Sequence, residues 1–273
     1  MAPKRLRRNS PFVTGDGIQP AAPTTSPLLR APTELNSDFP WDEFDSYWYY
    51  DHNYKTLRDD DRQIIQTVRD FFVTLDPSSH RHGIDVGSGS NLYPALAMLP
   101  LCHEITLYEY STSNISWLQR EIQSYSPSWD AFWQLLAVAP LYKSVDSPRA
   151  TLAAVAQVER GSIFDLPRSR WDIGTMFFTA ESISSTPAEF QAALRSFITS
   201  LRTGAPFAAA FMEKSLGYDV GTRRFPAVAI TVNDVENCLA TNTEVLDLHR
   251  IGLTENPLRN GYDGMILATG RAA

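Results

Sequence analysis

The stretch Gly83-Ile84-Asp85-Val86-Gly87-Ser88-Gly89-Ser90-Asn91-Leu92-Tyr93 restricts the possible folds more than any other part of the chain. It reads as a short apolar strand, a Gly-x-Gly turn and the start of a helix. Glycines at such a turn adopt backbone angles that side chains disfavour, and they let a ligand approach the main chain closely. The helix that follows points free N–H groups at that ligand. Taken alone, Gly-x-Gly fits an ordinary tight turn equally well. Its surroundings favour a binding loop. The next strand signal ends in Glu109, about 20 residues further on, where a carboxylate accepts hydrogen bonds from both hydroxyls of a ribose.

Strand and helix signals alternate on both sides of the loop. A helix is expected over Leu57–Leu75, where Asp59, Asp60 and Asp61 suit the positive end of the helix dipole. Strands are expected at Gly83–Val86, Glu104–Tyr108, Val158–Ile163, Asp172–Thr179, Pro206–Met212, Val245–Ile251 and Gly264–Ala268. Helices are expected at Tyr93–Leu99, Ser111–Ser124, Ala188–Leu201 and Asn233–Ala240, with a mostly helical insert over 128–157 broken by Pro140 and Pro148. The alternation implies an α/β fold, a mostly parallel sheet with helices on both faces. Residues 1–40 hold seven prolines and few large apolar side chains, so they read as a disordered tail. Composition changes at Trp41, and Trp41–Tyr54 is dense in aromatics. The expected organisation is a tail over 1–40, then one domain over 41–273, with an N-terminal aromatic and helical cap at 41–80.

The remaining bulk properties act as exclusions. A net charge of −7 argues against a nucleic-acid partner, since phosphate contacts need clustered Lys and Arg. Two distant cysteines, Cys102 and Cys238, and five scattered histidines offer no metal cluster. No apolar run approaches the roughly 18 residues of a membrane span, and no apolar segment follows the basic N-terminus. The expectation is a cytoplasmic monomer with a small-molecule substrate, no metal and no membrane or nucleic-acid partner.

The loop also discriminates between cofactors. A dinucleotide loop carries a third glycine for close helix–strand packing, and here Leu92 stands in its place. Ile84-Asp85-Val86-Gly87-Ser88-Gly89 instead has the (Ile/Leu)-Asp-x-Gly-x-Gly form of loops that bind S-adenosylmethionine (SAM). Extended to Tyr93, it resembles the core of the methyltransferases that act on nicotinamide, phenylethanolamine and thioethers. Other stretches match that family: Tyr49 and Tyr54 as a Tyr-x4-Tyr pair, Glu109-Tyr110-Ser111-Thr112-Ser113-Asn114, Ser128-Trp129-Asp130, Leu201-Arg202-Thr203-Gly204-Ala205, and Tyr218-x-x-Gly221-x-x-x-Phe225. The resemblance covers roughly residues 44–270.

That resemblance implies a Rossmann-like class I methyltransferase fold with a seven-stranded sheet. It implies SAM as cofactor and S-adenosylhomocysteine (SAH) as product. Tyr49 and Tyr54 would close over SAM, and Asp85, Gly87, Ser88 and Gly89 would line its methionine part. Tyr93 would meet the carboxylate and Glu109 the ribose. Tyr110 and Asn114 would flank the adenosine, and Ser162 and Ile163 would sit at the adenine edge. The family has an acid where Ser162 stands. Ala227 replaces a serine of the nicotinamide enzyme, which argues against nicotinamide as substrate.

Glu181 and Glu213 follow the expected strands at 172–179 and 206–212, at the sheet edge where open α/β folds bind ligands. They are the candidate catalytic pair, orienting an N–H nucleophile. Trp48, Tyr50, Phe178 and Tyr218 are candidate walls for a flat aromatic or indole-type acceptor, which suits secondary metabolism. After the fourth strand Phe177-Phe178-Thr179-Ala180 replaces the Asp/Asn-Pro-Pro-Tyr used on nucleic-acid bases. With that acid pair, N-methylation is expected ahead of O- or C-methylation, and the missing base-type motif agrees with the acidic charge in opposing a nucleic-acid substrate. A non-catalytic SAM-fold binding protein and a nicotinamide-dinucleotide oxidoreductase are the rivals; the intact loop opposes the first and Leu92 the second.

Overall fold

The computed structural model describes residues 34–273. Most of the expected tail, residues 1–33, lies outside the described residues. Two 3-10 turns, Asn36–Asp38 and Trp41–Glu43, lead into α1 (Ser46–Asn53) and α2 (Asp59–Phe72). Then come β1 (Arg81–Val86), α3 (Tyr93–Met98), β2 (Cys102–Glu109) and α4 (Thr112–Glu121). Helices α5 (Trp129–Leu136), α6 (Pro140–Lys143) and α7 (Pro148–Val155) fill the expected insert. Pro140 and Pro148 each open a helix, because proline lacks only an N–H that the first turn leaves unpaired anyway. The chain continues through β3 (Ala156–Arg160), β4 (Ile173–Phe177), α8 (Pro187–Ser200) and β5 (Pro206–Glu213). A hairpin of β6 (Tyr218–Val220) and β7 (Arg223–Phe225) precedes α9 (Val232–Leu239), β8 (Thr243–Gly252) and β9 (Gly264–Ala272).

Seven strands form one sheet in the order β3-β2-β1-β4-β5-β9-β8. Strands β1 to β5 are parallel, and β9 runs antiparallel between β5 and β8. The order reverses between β1 and β4, so the loops after those strands diverge and leave a crevice there. Both sheet faces are covered. Along β5, Ala208, Ala210 and Met212 join one core, while Phe207, Ala209 and Phe211 join the other. Alternation along a strand sends neighbours to opposite faces, which explains why β5 is buried over its full length.

Two features depart from the sequence expectation. The β6–β7 hairpin lay in an unassigned stretch; its strands have three residues each, too few for a readable alternation. It is held by Tyr218, Val220 and Phe225, which cluster with Phe44 from the cap. Residues 34–40, expected to be tail, are packed. Glu34 and Asn36 bond to Ser185 and Glu189, and Phe39 and Trp41 lie against the Phe225 ring. A few aromatics anchor this segment where its average composition argued for disorder.

The cap is tied to the sheet layer by a buried hydrogen bond. Tyr93 Oη, at the start of α3, donates to Asp61 in the first turn of α2 at 3.1 Å. Burial pushes the Asp61 carboxyl up to about 8, with the charge of Asp60 adding to the rise. Below pH 4 the carboxyl is protonated in folded and unfolded chains alike. Between pH 4 and 8 the unfolded chain releases this proton first, so stability falls as pH rises through that window. Asp61→Asn keeps an acceptor for Tyr93 and removes the titration. Urea midpoints at pH 5 and pH 8 should therefore differ less in Asp61→Asn than in the wild type; an equal fall in both would contradict this.

Candidate active site

The crevice at the β1/β4 reversal is a cleft enclosing about 840 Å³ of empty space, its open mouth included. Glu109, the last residue of β2, organises one wall. Its Oε1 accepts the N–H groups of Tyr110 and Ser111 at 2.8 Å each, and its Oε2 accepts the N–H of Gly89 at 2.8 Å. Burial raises its pKa, and the three N–H bonds oppose the rise. The carboxylate therefore fixes the glycine loop to the end of β2, and Oε2 retains acceptor capacity at the cleft wall.

The two loop glycines have different reasons to be glycine. Both have positive φ, +65° at Gly87 and +57° at Gly89. A Cβ on Gly87 would strike the Thr179 side chain at 2.3 Å, so Gly87 lets the loops after β1 and β4 meet. Thr179 Oγ1 closes that contact with bonds to the carbonyls of Val86 and Gly87 at 3.3 and 3.2 Å. A Cβ on Gly89 would meet only the Gly87 carbonyl oxygen, at 3.8 Å. It would project into open space in the cleft, the space a cofactor needs.

Asp85 lies beneath the loop. Its Oδ1 accepts from Thr175 Oγ1 at 2.7 Å, while its Oδ2 is buried without a partner. Burial pushes this carboxyl up to about 7. The opposite wall comes from the N-terminal segment: Asn36, Trp41 and Phe44 cross the cleft ahead of Tyr49 and Tyr54. Asp42 Oδ1 accepts the N–H of Thr112 at 2.8 Å, anchoring this segment to the N-terminus of α4.

A second, smaller cavity of about 280 Å³ adjoins the cleft and shares Tyr49, Tyr54 and Phe178 with it. Met212 and Met265 floor it, at the C-terminal end of β5 and the start of β9. Phe178 has φ +57°, a conformation that costs a bulky residue about 1–2 kcal/mol. It is held there by its N–H donating to the Ala210 carbonyl at 2.6 Å. Strain of this kind gathers at functional sites. Behind these walls Glu181 is fully buried and lines neither cavity. Its Oε1 accepts the Met212 N–H at 2.9 Å, its Oε2 has no partner, and burial pushes its pKa up to about 7.

Tyr49, Tyr54, Gly87, Ser88, Gly89, Glu109, Tyr110, Asn114, Ser162, Ile163, Phe178 and Tyr218 all line the main cleft. Ser162 Oγ accepts the Phe164 N–H, and Asn114 Oδ1 accepts from Ser46 Oγ at 2.6 Å. Six candidates line neither cavity: Asp85 and Glu181 are buried behind the walls, and four others are engaged elsewhere. Tyr93 does not line the cleft; its hydroxyl is committed to Asp61 and its ring stacks on Phe132. Tyr50 packs on Trp117 and Trp129 and bonds Ser128. Trp48 stacks on His52, outside both cavities. Glu213 is paired with Arg250 Nε at 2.6 Å and lines neither cavity. Asn36, Trp41, Phe44, Thr179 and Ile183 line the cleft and were not anticipated as site residues. The aromatic density from Trp41 was the one available signal, for Trp41 and Phe44.

A seven-stranded sheet in this order, with a glycine loop after β1 and an acid closing β2, defines a class I SAM-dependent methyltransferase. Residues 35–271 match the NNMT/PNMT/TEMT family model, and the chain belongs to that family. No curated protein matches it. Among solved structures it is similar to a SAM-dependent methyltransferase from Methanosarcina mazei, at 12% identity over 74% of this chain and 96% of that one, with a TM-score of 0.50. It is also similar to the N-methyltransferase NodS from Bradyrhizobium japonicum in complex with SAH, at 10% identity over 82% and 98% of the two chains and a TM-score of 0.47. A third is 1,6-didemethyltoxoflavin-N1-methyltransferase from Burkholderia thailandensis, at 13% identity over 78% of each chain and a TM-score of 0.45. The cofactor is SAM. The open space at Gly89 and the acceptor capacity of Glu109 fit its methionine part and its ribose. Among the described residues, no helix is long and apolar enough to cross a membrane.

Gly89→Ala adds a Cβ that points into the cleft, at a backbone strain of about 1–2 kcal/mol from its positive φ, so circular dichroism should accompany the binding test. Titration calorimetry should show SAH affinity reduced at least about tenfold. An unchanged Kd would place the cofactor elsewhere.

Proposed function

We propose that this protein transfers the methyl group of SAM to a nitrogen of a small aromatic, indole-type acceptor in secondary metabolism. The observation that carries the reading is the Glu181 carboxylate. It is buried at the ends of β4 and β5, behind the residues that line the two cavities, with one oxygen anchored and the other without a donor. A carboxylate held in this way suits an N–H group as its missing partner. Tyr49, Tyr54, Phe178 and two methionines give the adjoining cavity apolar walls, to which Asn53, Arg58 and Asp61 add polar groups, and this mixture suits a flat body that bears polar substituents. The same reading takes the enzyme as a cytoplasmic monomer working on a diffusible substrate, without metal.

In this reading Glu109 holds the ribose, Tyr110 and Asn114 flank the nucleoside, and Ser162 and Ile163 meet the adenine edge. Gly87, Ser88, Gly89 and Asp85 receive the methionine part. When bound, the cofactor supplies a methyl group on cationic sulfur, open to in-line displacement by a neutral nitrogen. Tyr49, Tyr54 and Phe178 separate the two cavities and exclude water from the line of transfer. Such positioning contributes roughly 7–11 kcal/mol. Glu181 Oε2 accepts the acceptor's N–H, which fixes the direction of the lone pair. A carboxyl with a pKa near 7 also takes up the proton that the nitrogen loses. Glu213, neutralised by Arg250, has no part in this chemistry and steadies the β8 side of the rim.

Glu181→Gln should lower kcat about 100-fold on any accepted amine and leave SAH affinity unchanged. The wild-type pH profile should carry a limb near pH 7 that the variant lacks. SAH release across a panel of indoles and aromatic amines provides the assay. Full activity in Glu181→Gln would remove the residue from the mechanism.

A further inference from the structure

Methyl transfer as described leaves without a use one cation that packs on the Tyr218 wall of the cleft, although it lines neither cavity itself. Arg259 lies in the loop between β8 and β9. Its guanidinium carbon is 5.2 Å from the centroid of Tyr218, a wall of the main cleft, and 5.9 Å from that of Tyr262. Its Nη2 donates to the buried Ser215 Oγ at 3.0 Å. Its Nε is shielded from solvent and has no acceptor. Among the described residues Arg259 makes no ion pair. A guanidinium partly withdrawn from water with an unmet donor is costly to keep.

The contrast with Arg58 is informative. Arg58 lines the smaller cavity and also has an unpartnered Nε, but Asp60 lies 3.4 Å from that nitrogen and Nη2 bonds the Asn256 carbonyl. The charge of Arg58 is answered within the protein, and that of Arg259 is not. The Arg259 charge draws the pKa of Glu181 down against the effect of burial, yet the two are not bonded. Each has one buried atom without a partner: a donor on Arg259 and an acceptor on Glu181. A ligand with an N–H at one point and an anion at another satisfies both. The Nε and Nη2 of a guanidinium lie along one edge, and that edge grips a planar carboxylate through two parallel bonds.

We propose that the methyl acceptor is an aromatic amine that also bears a carboxylate, and that Arg259 takes that carboxylate side-on through Nε and Nη2. This rests on the N-methylation reading above and narrows its substrate class. Ser215 and Tyr218 hold the guanidinium plane, and Glu181 faces the nitrogen at the other end of the acceptor. Specificity follows from the cost of leaving Arg259 unanswered when an acceptor lacks the acid.

The test uses the full chain saturated with SAH. Calorimetry compares matched probes that differ only in a carboxylate: tryptophan with tryptamine, phenylalanine with phenethylamine, and 4-aminobenzoate with aniline. At least one acid-bearing member should bind tenfold or more tighter than its partner. Arg259→Leu should abolish that preference without altering SAH affinity or the binding of the neutral probe, and Arg259→Lys should retain part of it. Wild-type protein that binds SAH but prefers no carboxylate overturns this proposal and leaves the methyltransferase reading intact. Equal weakening of both probes by Arg259→Leu also overturns it, because that result marks a purely structural arginine. Absence of SAH binding would overturn the reading beneath it as well.

Discussion

The buried carboxylate of Glu109 is the constraint on which the site depends. Few folds place a charge where only 7% of the residue is exposed, and it is tolerable here because three backbone N–H groups point at it. Those bonds do more than offset desolvation. One comes from the turn after β1 and two from the turn after β2, so the acid locks two loops that the sheet alone would leave apart. With the loops locked, Gly89 faces open space, α4 begins next to Ser111, and the cleft has a defined floor. Tyr49, Tyr54 and the 34–44 segment then close over a surface that is already organised.

The parallel sheet supplies the location and the loops supply the chemistry. Reversal of strand order between β1 and β4 opens the crevice, and Thr179 ties the two loop roots together above it. Beyond β4 the chain turns through Phe178 in a left-handed conformation, aiming its ring at the boundary of the two cavities. The acids around this boundary are each held differently. Asp85 and Glu181 are buried with one free oxygen, whereas Glu213 is discharged by Arg250. That difference in partner, not position at a strand end, separates a carboxylate with an unmet oxygen from one that braces the rim.

Much of this was legible in the sequence because it is encoded locally. The strand–glycine–helix stretch, Glu109 at its spacing and the βα alternation each occupy a short window, and they led to the sheet, the cofactor loop and the family. Where the reading failed, the deciding information was non-local. Tyr47, Trp48, Tyr49 and Tyr50 are four consecutive aromatics on α1, about 100° apart around the helix. Every face is aromatic, so no pattern says that Tyr49 meets the cleft while Trp48 turns to His52. Arg250, which occupies Glu213, comes 37 residues later on a strand whose register cannot be read in advance. Tyr93 was matched by sequence position, but its partner Asp61 is 32 residues upstream. Asn36 lies in a proline-rich stretch whose average hides the aromatics that pin it down.

The central claim is that Glu109 and the glycine loop form an adenosine site. Calorimetry of SAH against the wild type and Glu109→Ala, with NAD as a control and circular dichroism to verify folding, tests it most directly. Micromolar SAH binding by the wild type, none of NAD, and a loss of about 100-fold in a folded Glu109→Ala protein are expected, because the variant loses both the charge-assisted bond to a ribose hydroxyl and the anchor of the glycine loop. SAH binding that survives undiminished in Glu109→Ala would contradict it.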